Sequence, residues 1–132
     1  MNIIIASNRP FPNRTVKSPE ELDLILNKIN WVPEYILFPF WSWKVPKEIT
    51  DKYDCIGFHT GDTNGGSPIQ NLIRQGKEEA TLRMFHMNDV IDGGRDICWT
   101  QVSLLGSLEE IMIRISDKIW ELWCGHIQTN NG

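Results

Sequence analysis

The sequence is poor in cysteine, in net positive charge and in long apolar runs, and each shortage removes a class of protein. Only Cys55, Cys98 and Cys124 are present, widely spaced among apolar neighbours. An odd, scattered set supports neither a disulfide framework nor a Cys-x-x-Cys metal site, so the thiols are expected to be buried and reduced. No metal is expected: His86 and His126 lie at no ligand spacing. Lysine and arginine number 13 against 17 acidic residues, a formal net charge of -4. The acidic residues are dispersed, and nucleic acid is disfavoured as a partner because a phosphate backbone calls for a basic face. No segment approaches the roughly 18 apolar residues of a membrane span, and the start Met1-Asn2-Ile3-Ile4-Ile5-Ala6 lacks the basic flank of a signal peptide. A cytoplasmic protein with no membrane partner is expected.

What is present is the composition of a soluble globular domain: 132 residues, 41% hydrophobic and 23% charged. A chain of that length supports one core, burying roughly two thirds of the surface exposed by the unfolded chain. Residues 1–124 are expected to form one compact domain, and 125–132 a flexible polar tail.

Asn2 to Ala6 is a β-branched apolar run of the kind a strand buried on both faces requires. Ser7 to Lys17, with Pro10 and Pro12, reads as a loop. Ser18-Pro19-Glu20-Glu21 supplies a cap, a proline at the first helical position and a glutamate three after the cap, and Leu22, Ile25, Leu26 and Ile29 follow on one face. Tyr35 to Phe38 predicts a second strand ended by Pro39, running into the aromatic loop Phe40-Trp41-Ser42-Trp43. After a short helix over 46–52, Asp54 to His59 predicts a third strand. Ser67-Pro68 caps a helix that Gly76 closes. Two further strands over 81–87 and 96–102 flank a glycine-rich loop, and a second capping box at Ser107 opens a closing helix with Ile111, Ile115, Ile119 and Leu122 on one face. The order predicts an α/β fold with a mostly parallel sheet.

In such sheets ligands settle at the carboxyl ends of strands. His59 ends the third strand, the aromatic loop follows the second, and Asp92 lies in the loop after the fourth. By themselves these are weak signals. A strand-end histidine is often structural, Asp92-Gly93 is a turn pair, and aromatics in a loop often pack or make a subunit contact, which here predicts a homodimer. Gly65-Gly66-Ser67 at a helix start, with Asn64 before it, could cap the helix or hold an anion.

The pattern His-x-x-Asp-x-x-Gly-Gly-Ser-Pro-Ile-Gln-Asn-Leu-Ile from His59, followed by Met-Asn-Asp-Val-Ile-Asp-Gly-Gly-Arg-Asp-Ile from Met87 and a capped helix, resembles the catalytic domain of folate-dependent formyltransferases. That family includes methionyl-tRNA and sugar N-formyltransferases. The resemblance is detailed over about half the chain and implies a single Rossmann-like, formyltransferase-type domain with helices flanking the sheet. It implies transfer of a formyl group from 10-formyltetrahydrofolate to the primary amine of a small molecule; a nucleotide-linked amino sugar is the acceptor suggested by analogy. His59 takes the position of an oxyanion donor, and Asp92 that of the group orienting it and relaying the amine proton. With that chemistry in view, Phe38, Phe40, Trp41, Val90 and Ile91 are expected to hold the cofactor, and Asn64, Gly65, Gly66 and Ser67 the substrate.

Attack by an amine creates an oxyanion and a positive nitrogen, which an imidazole and a carboxylate can serve. The chain departs from the family in three ways, one of them a shortened loop from His59 to Pro68. Gly57-Phe58-His59 stands where the pattern is Asn-x-His, and the part before Ile56 has fewer strand-helix units. Two alternatives follow: hydrolysis of the same formyl donor, or a catalytically degenerate binding protein.

Overall fold

The computed structural model describes residues 2–60, 68–89 and 94–131. Its elements are β1 (Ile3–Ser7), α1 (Pro19–Lys28), β2 (Tyr35–Phe40), α2 (Lys47–Lys52), β3 (Asp54–Thr60), α3 (Pro68–Arg74), β4 (Glu79–His86), β5 (Asp96–Ser103) and α4 (Leu108–Asn131). The strands form one sheet in the order β1-β2-β3-β4-β5. β1 to β3 are parallel, as the intervening helices require. β4 and β5 form an antiparallel hairpin: His86 N–H donates to the Arg95 carbonyl and Leu104 N–H to that of Glu78, each at 2.8 Å. The expected α/β fold holds, with a mixed sheet.

Contacts divide the chain into two units that share β3 and β4, one of residues 1–57 and 85–95, the other of 58–84 and 96–132. In the first unit, Ile4, Ala6, Leu22, Ile36, Phe38 and Cys55 centre a core on the parallel strands. α1 starts where the cap sequence says: Ser18 Oγ accepts from Glu21 N–H at 3.1 Å, and Pro19 needs no donor there. β2 runs two residues beyond its expected end, through Pro39 to Phe40. The register shift between Ile5 and Ser7 explains this, because Ile5 pairs with Leu37 and Ser7 with Phe40. A bulge is where a strand tolerates a residue with no N–H to give.

In the second unit, Ile111, Ile115, Ile119 and Trp123 are the buried row of α4. The expected Leu122 is only half-buried, because the i+4 row leads from Ile119 to Trp123. α4 begins with a reciprocal box: Glu110 N–H donates to Ser107 Oγ at 3.1 Å, and Ser107 N–H to Glu110 Oε1 at 3.0 Å. Arg114 ties the helix to the end of β5, donating to the carbonyls of Ser103 and Leu105. The helix continues through Gly125 to Asn131, so the segment expected to be a frayed tail is helical.

Candidate functional site

β3 delivers His59 as its penultimate residue. The side chain is buried, 9% exposed, and its Nε2 is withdrawn from solvent. An imidazole in that setting is shielded from competition by water for whatever it contacts. Asp92, Val90 and Ile91, and likewise Asn64, Gly65, Gly66 and Ser67, lie outside the described residues.

The ends of the hairpin that bracket 90–93 are described. His86 N–H meets the Arg95 carbonyl, and Gly94 passes so close to the His86 carbonyl that an added Cβ would collide with its oxygen. Only glycine fits there, so backbone sterics set where the chain leaves and re-enters the segment carrying Asp92.

Gly57 is likewise a packing position. A Cβ on it would lie 2.7 Å from Phe85 Cζ and 2.9 Å from Met87 Cγ. β4 supplies Phe85, which is 2% exposed, and Met87 follows just past the end of that strand. The room that a side chain at 57 would use is therefore filled with hydrocarbon. No amide can occupy it without displacing Phe85.

The three aromatics expected around a cofactor differ in accessibility. Phe38 is 2% exposed and belongs to the core; it offers no open face and acts as a support. Phe40 and Trp41 are half-buried, and Trp43 is 43% exposed. They are set edge to face: Phe38 on Trp41 at 5.4 Å, Trp41 on Trp43 at 4.9 Å and Phe11 on Phe40 at 6.5 Å between centroids. Such contacts hold rings in place beyond simple burial. A half-exposed wall of fixed rings suits a flat heteroaromatic such as a pterin, so Phe40 and Trp41 fit that group and Phe38 does so indirectly.

One feature went unrecognised in the sequence. The loop after β1 encloses a surface groove of about 650 Å³ whose lining includes Arg9, Asn13, Arg14, Thr15, Lys17 and Glu21. Its signal was present: between Ser7 and Lys17 the chain has three cations and no acid. The overall charge of -4 obscured it.

Two of the cysteines make poor nucleophiles. Burial, aided by Asp54, pushes the Cys55 thiol up to about 12, and burial also raises Cys98. Among the described residues all three are free thiols, no helix is long and apolar enough to cross a membrane, and no group of three or more potential metal ligands occurs.

Comparison with known proteins gives consistent neighbours. No family model matches the chain. The methionyl-tRNA formyltransferase of Caldicellulosiruptor saccharolyticus is 30% identical over 116 residues, which is 84% of this chain and 36% of that protein. The chain thus spans about a third of that curated relative. The solved methionyl-tRNA formyltransferase from Clostridium thermocellum aligns over 99% of this chain and 66% of that structure, with 32% identity and a TM-score of 0.75. A sugar N-formyltransferase from Shewanella, 20% identical, shares the fold over 89% of this chain and 49% of its own, with a TM-score of 0.59.

Proposed function

Because the chain belongs to the formyltransferase family, we propose that it moves a formyl group from 10-formyltetrahydrofolate to a primary amine, with His59 as the donor to the carbonyl oxygen. The observation that carries this reading is the buried imidazole at the end of β3, in a chain whose similarity to a methionyl-tRNA formyltransferase structure extends over 99% of its length. When bound, the folate supplies an electrophilic formyl carbon. His59 holds a proton at a ring nitrogen and donates it as a hydrogen bond to the oxygen as charge builds there. Asp92, assigned by resemblance, orients the imidazole and takes the proton that the attacking nitrogen sheds, relaying it to the donor nitrogen that would depart as the old formyl C–N bond breaks. Phe40 and Trp41 give the pterin an apolar wall. A nucleotide-linked amino sugar is the acceptor to try first. A cytoplasmic setting belongs to this reading, supported by the free thiols.

The filled space over Gly57 favours a second reading, a folate-binding relative with little turnover. Loss of one oxyanion donor costs on the order of 100 to 1000-fold in other enzymes.

Calorimetric titration with a stable 10-formyltetrahydrofolate analogue, paired with a formyl-transfer assay on amino sugars, separates the two. Binding is expected in the parent and in His59→Ala, with transfer abolished in His59→Ala and in Asp92→Asn. Absence of analogue binding in the parent would remove both readings. Binding without transfer leaves the second, and formate released without an amine indicates hydrolysis.

A further inference from the structure

α1 gives one side to the core and leaves the other bare. Leu22 is buried, and Ile25, Leu26 and Ile29 pack against the cluster that contains Ile4, Ala6, Ile36 and Phe38. On the opposite side Glu20, Leu24 and Lys28 follow one another at intervals of four, a single row along the helix. All three are exposed, Leu24 to 52%. Just past the helix end, Trp31 is 39% and Val32 75% exposed. Among the described residues, neither Glu20 nor Lys28 is in an ion pair. The helix lies in the crossover from β1, the outermost strand of the sheet, to β2.

An exposed leucine alone needs no explanation. The row in which Leu24 stands, however, is its own complement. An acid lies four residues before Leu24 and a base four residues after it. Laid against a second copy running the opposite way, the row sets Leu24 on Leu24 at a two-fold axis and each Glu20 beside Lys28 of the other copy. Laid the same way, it sets Glu20 on Glu20 and Lys28 on Lys28, and these repel. Two-fold pairing through one self-complementary patch is the commonest form of association between identical chains.

We propose that α1 is a docking surface for a second copy of this chain, paired antiparallel with Leu24 at the axis and a Glu20–Lys28 ion pair on either side. This places the homodimer contact on α1 and not on the aromatic loop, whose rings already hold one another. A helix of ten residues is about 15 Å long. The contact is therefore at the small end of specific interfaces, and the dimer is weak and reversible. Nothing in this pairing depends on formyl transfer.

The test is sedimentation velocity on the 132-residue chain, from about 1 μM to about 1 mM, the span of weak affinities suited to so small an interface. A reversible monomer–dimer equilibrium is expected, weakened by salt because the flanking pairs are exposed. Leu24→Asp sets two carboxylates at the axis and should weaken the dimer more than about tenfold. Glu20→Lys and Lys28→Glu should each weaken it about tenfold, since both pairs turn repulsive. All three positions are exposed, and circular dichroism should show the variants folded. Mixing Glu20→Lys with Lys28→Glu should restore a dimer, because both pairs across the axis are then attractive. Misfolded variants could not do this.

A monomer throughout that range overturns the proposal. So does a dimer that Leu24→Asp leaves within about twofold of the parent, and so does a mixture of the charge variants no more dimeric than its components. Loss of the dimer in Trp43→Ala or Trp99→Ala, with Leu24→Asp still dimeric, would assign the contact to the aromatic loop or to β5 instead. Species larger than a dimer would also overturn it, since a two-fold contact closes at two copies.

Discussion

Gly57 and Phe85 have complementary shapes, and neither can change alone without cost. Gly57→Asn should push the Phe85 ring off its seat and destabilise the chain by about 1–3 kcal/mol, read from the denaturant midpoint. Phe85→Ala alone should cost about 3–5 kcal/mol. If the two share one volume, a double-mutant cycle should return a favourable coupling of about 0.5 kcal/mol or more; additive losses would show that they do not. A second residue-scale outcome concerns Cys55. Its thiol is raised to about 12 in the folded chain from its ordinary value of 9.0. The stability this provides is fully present below about pH 9 and is lost as pH rises toward 12. At pH 8, maleimide labelling of Cys55 should therefore lag behind that of Cys98 and Cys124 until denaturant opens the core.

At the scale of elements, the hairpin of β4 and β5 and the start of α4 each depend on a local backbone requirement. Gly94→Ala places a Cβ against the His86 carbonyl, so the hairpin should open at that end. Hydrogen exchange should then show lost protection at the His86 amide, which donates to Arg95, while the α4 amides are unchanged. Protection retained at His86 would mean that the loop relaxes around the new methyl.

The box at Ser107 and Glu110 carries a pH dependence. Hydrogen bonds from the Ser107 backbone and side chain, then the nearby Arg114, lower the Glu110 carboxyl. A depressed carboxyl stabilises the fold above its unfolded value and loses that contribution as pH falls through its folded value. Ser107→Ala should cost about 1 kcal/mol at neutral pH and only partly flatten this part of the acid limb in a pH-stability profile, because alanine keeps the backbone N–H that is the larger cause.

For the whole molecule, charge sets what can approach. A net charge of -4 repels a polyanion, and three cations in one groove offer too few phosphate contacts for tight binding to a long nucleic acid. Transfer RNA should bind no more tightly than the non-specific range, with a Kd on the order of 10⁻⁴ to 10⁻⁶ M, and should be released by moderate salt in a filter-binding titration. Tight, salt-resistant binding would point instead to the acceptor class named for the relatives.

The boundaries of α1 and α4 were legible locally, because capping residues and apolar periodicity act within a few residues of each other. The alternation of strands and helices, and hence the fold class, was legible for the same reason. The extension of β2 through Pro39 was not, since the bulge that permits it depends on pairing with β1. Nor was the choice of Trp123 over Leu122, which depends on the direction in which α4 presents its i+4 row. His59 could be singled out from its place at a strand end, which the structure keeps, and from the pattern after it. That Phe85 and Met87 fill the space over Gly57, and that Arg9, Arg14 and Lys17 share one groove, depends on residues brought together by strand pairing and loop closure. The sequence by itself determined the elements and the place of His59 at a strand end, because those signals are short-range; only the tertiary structure decided what surrounds Gly57 and where the cations gather, because packing is long-range.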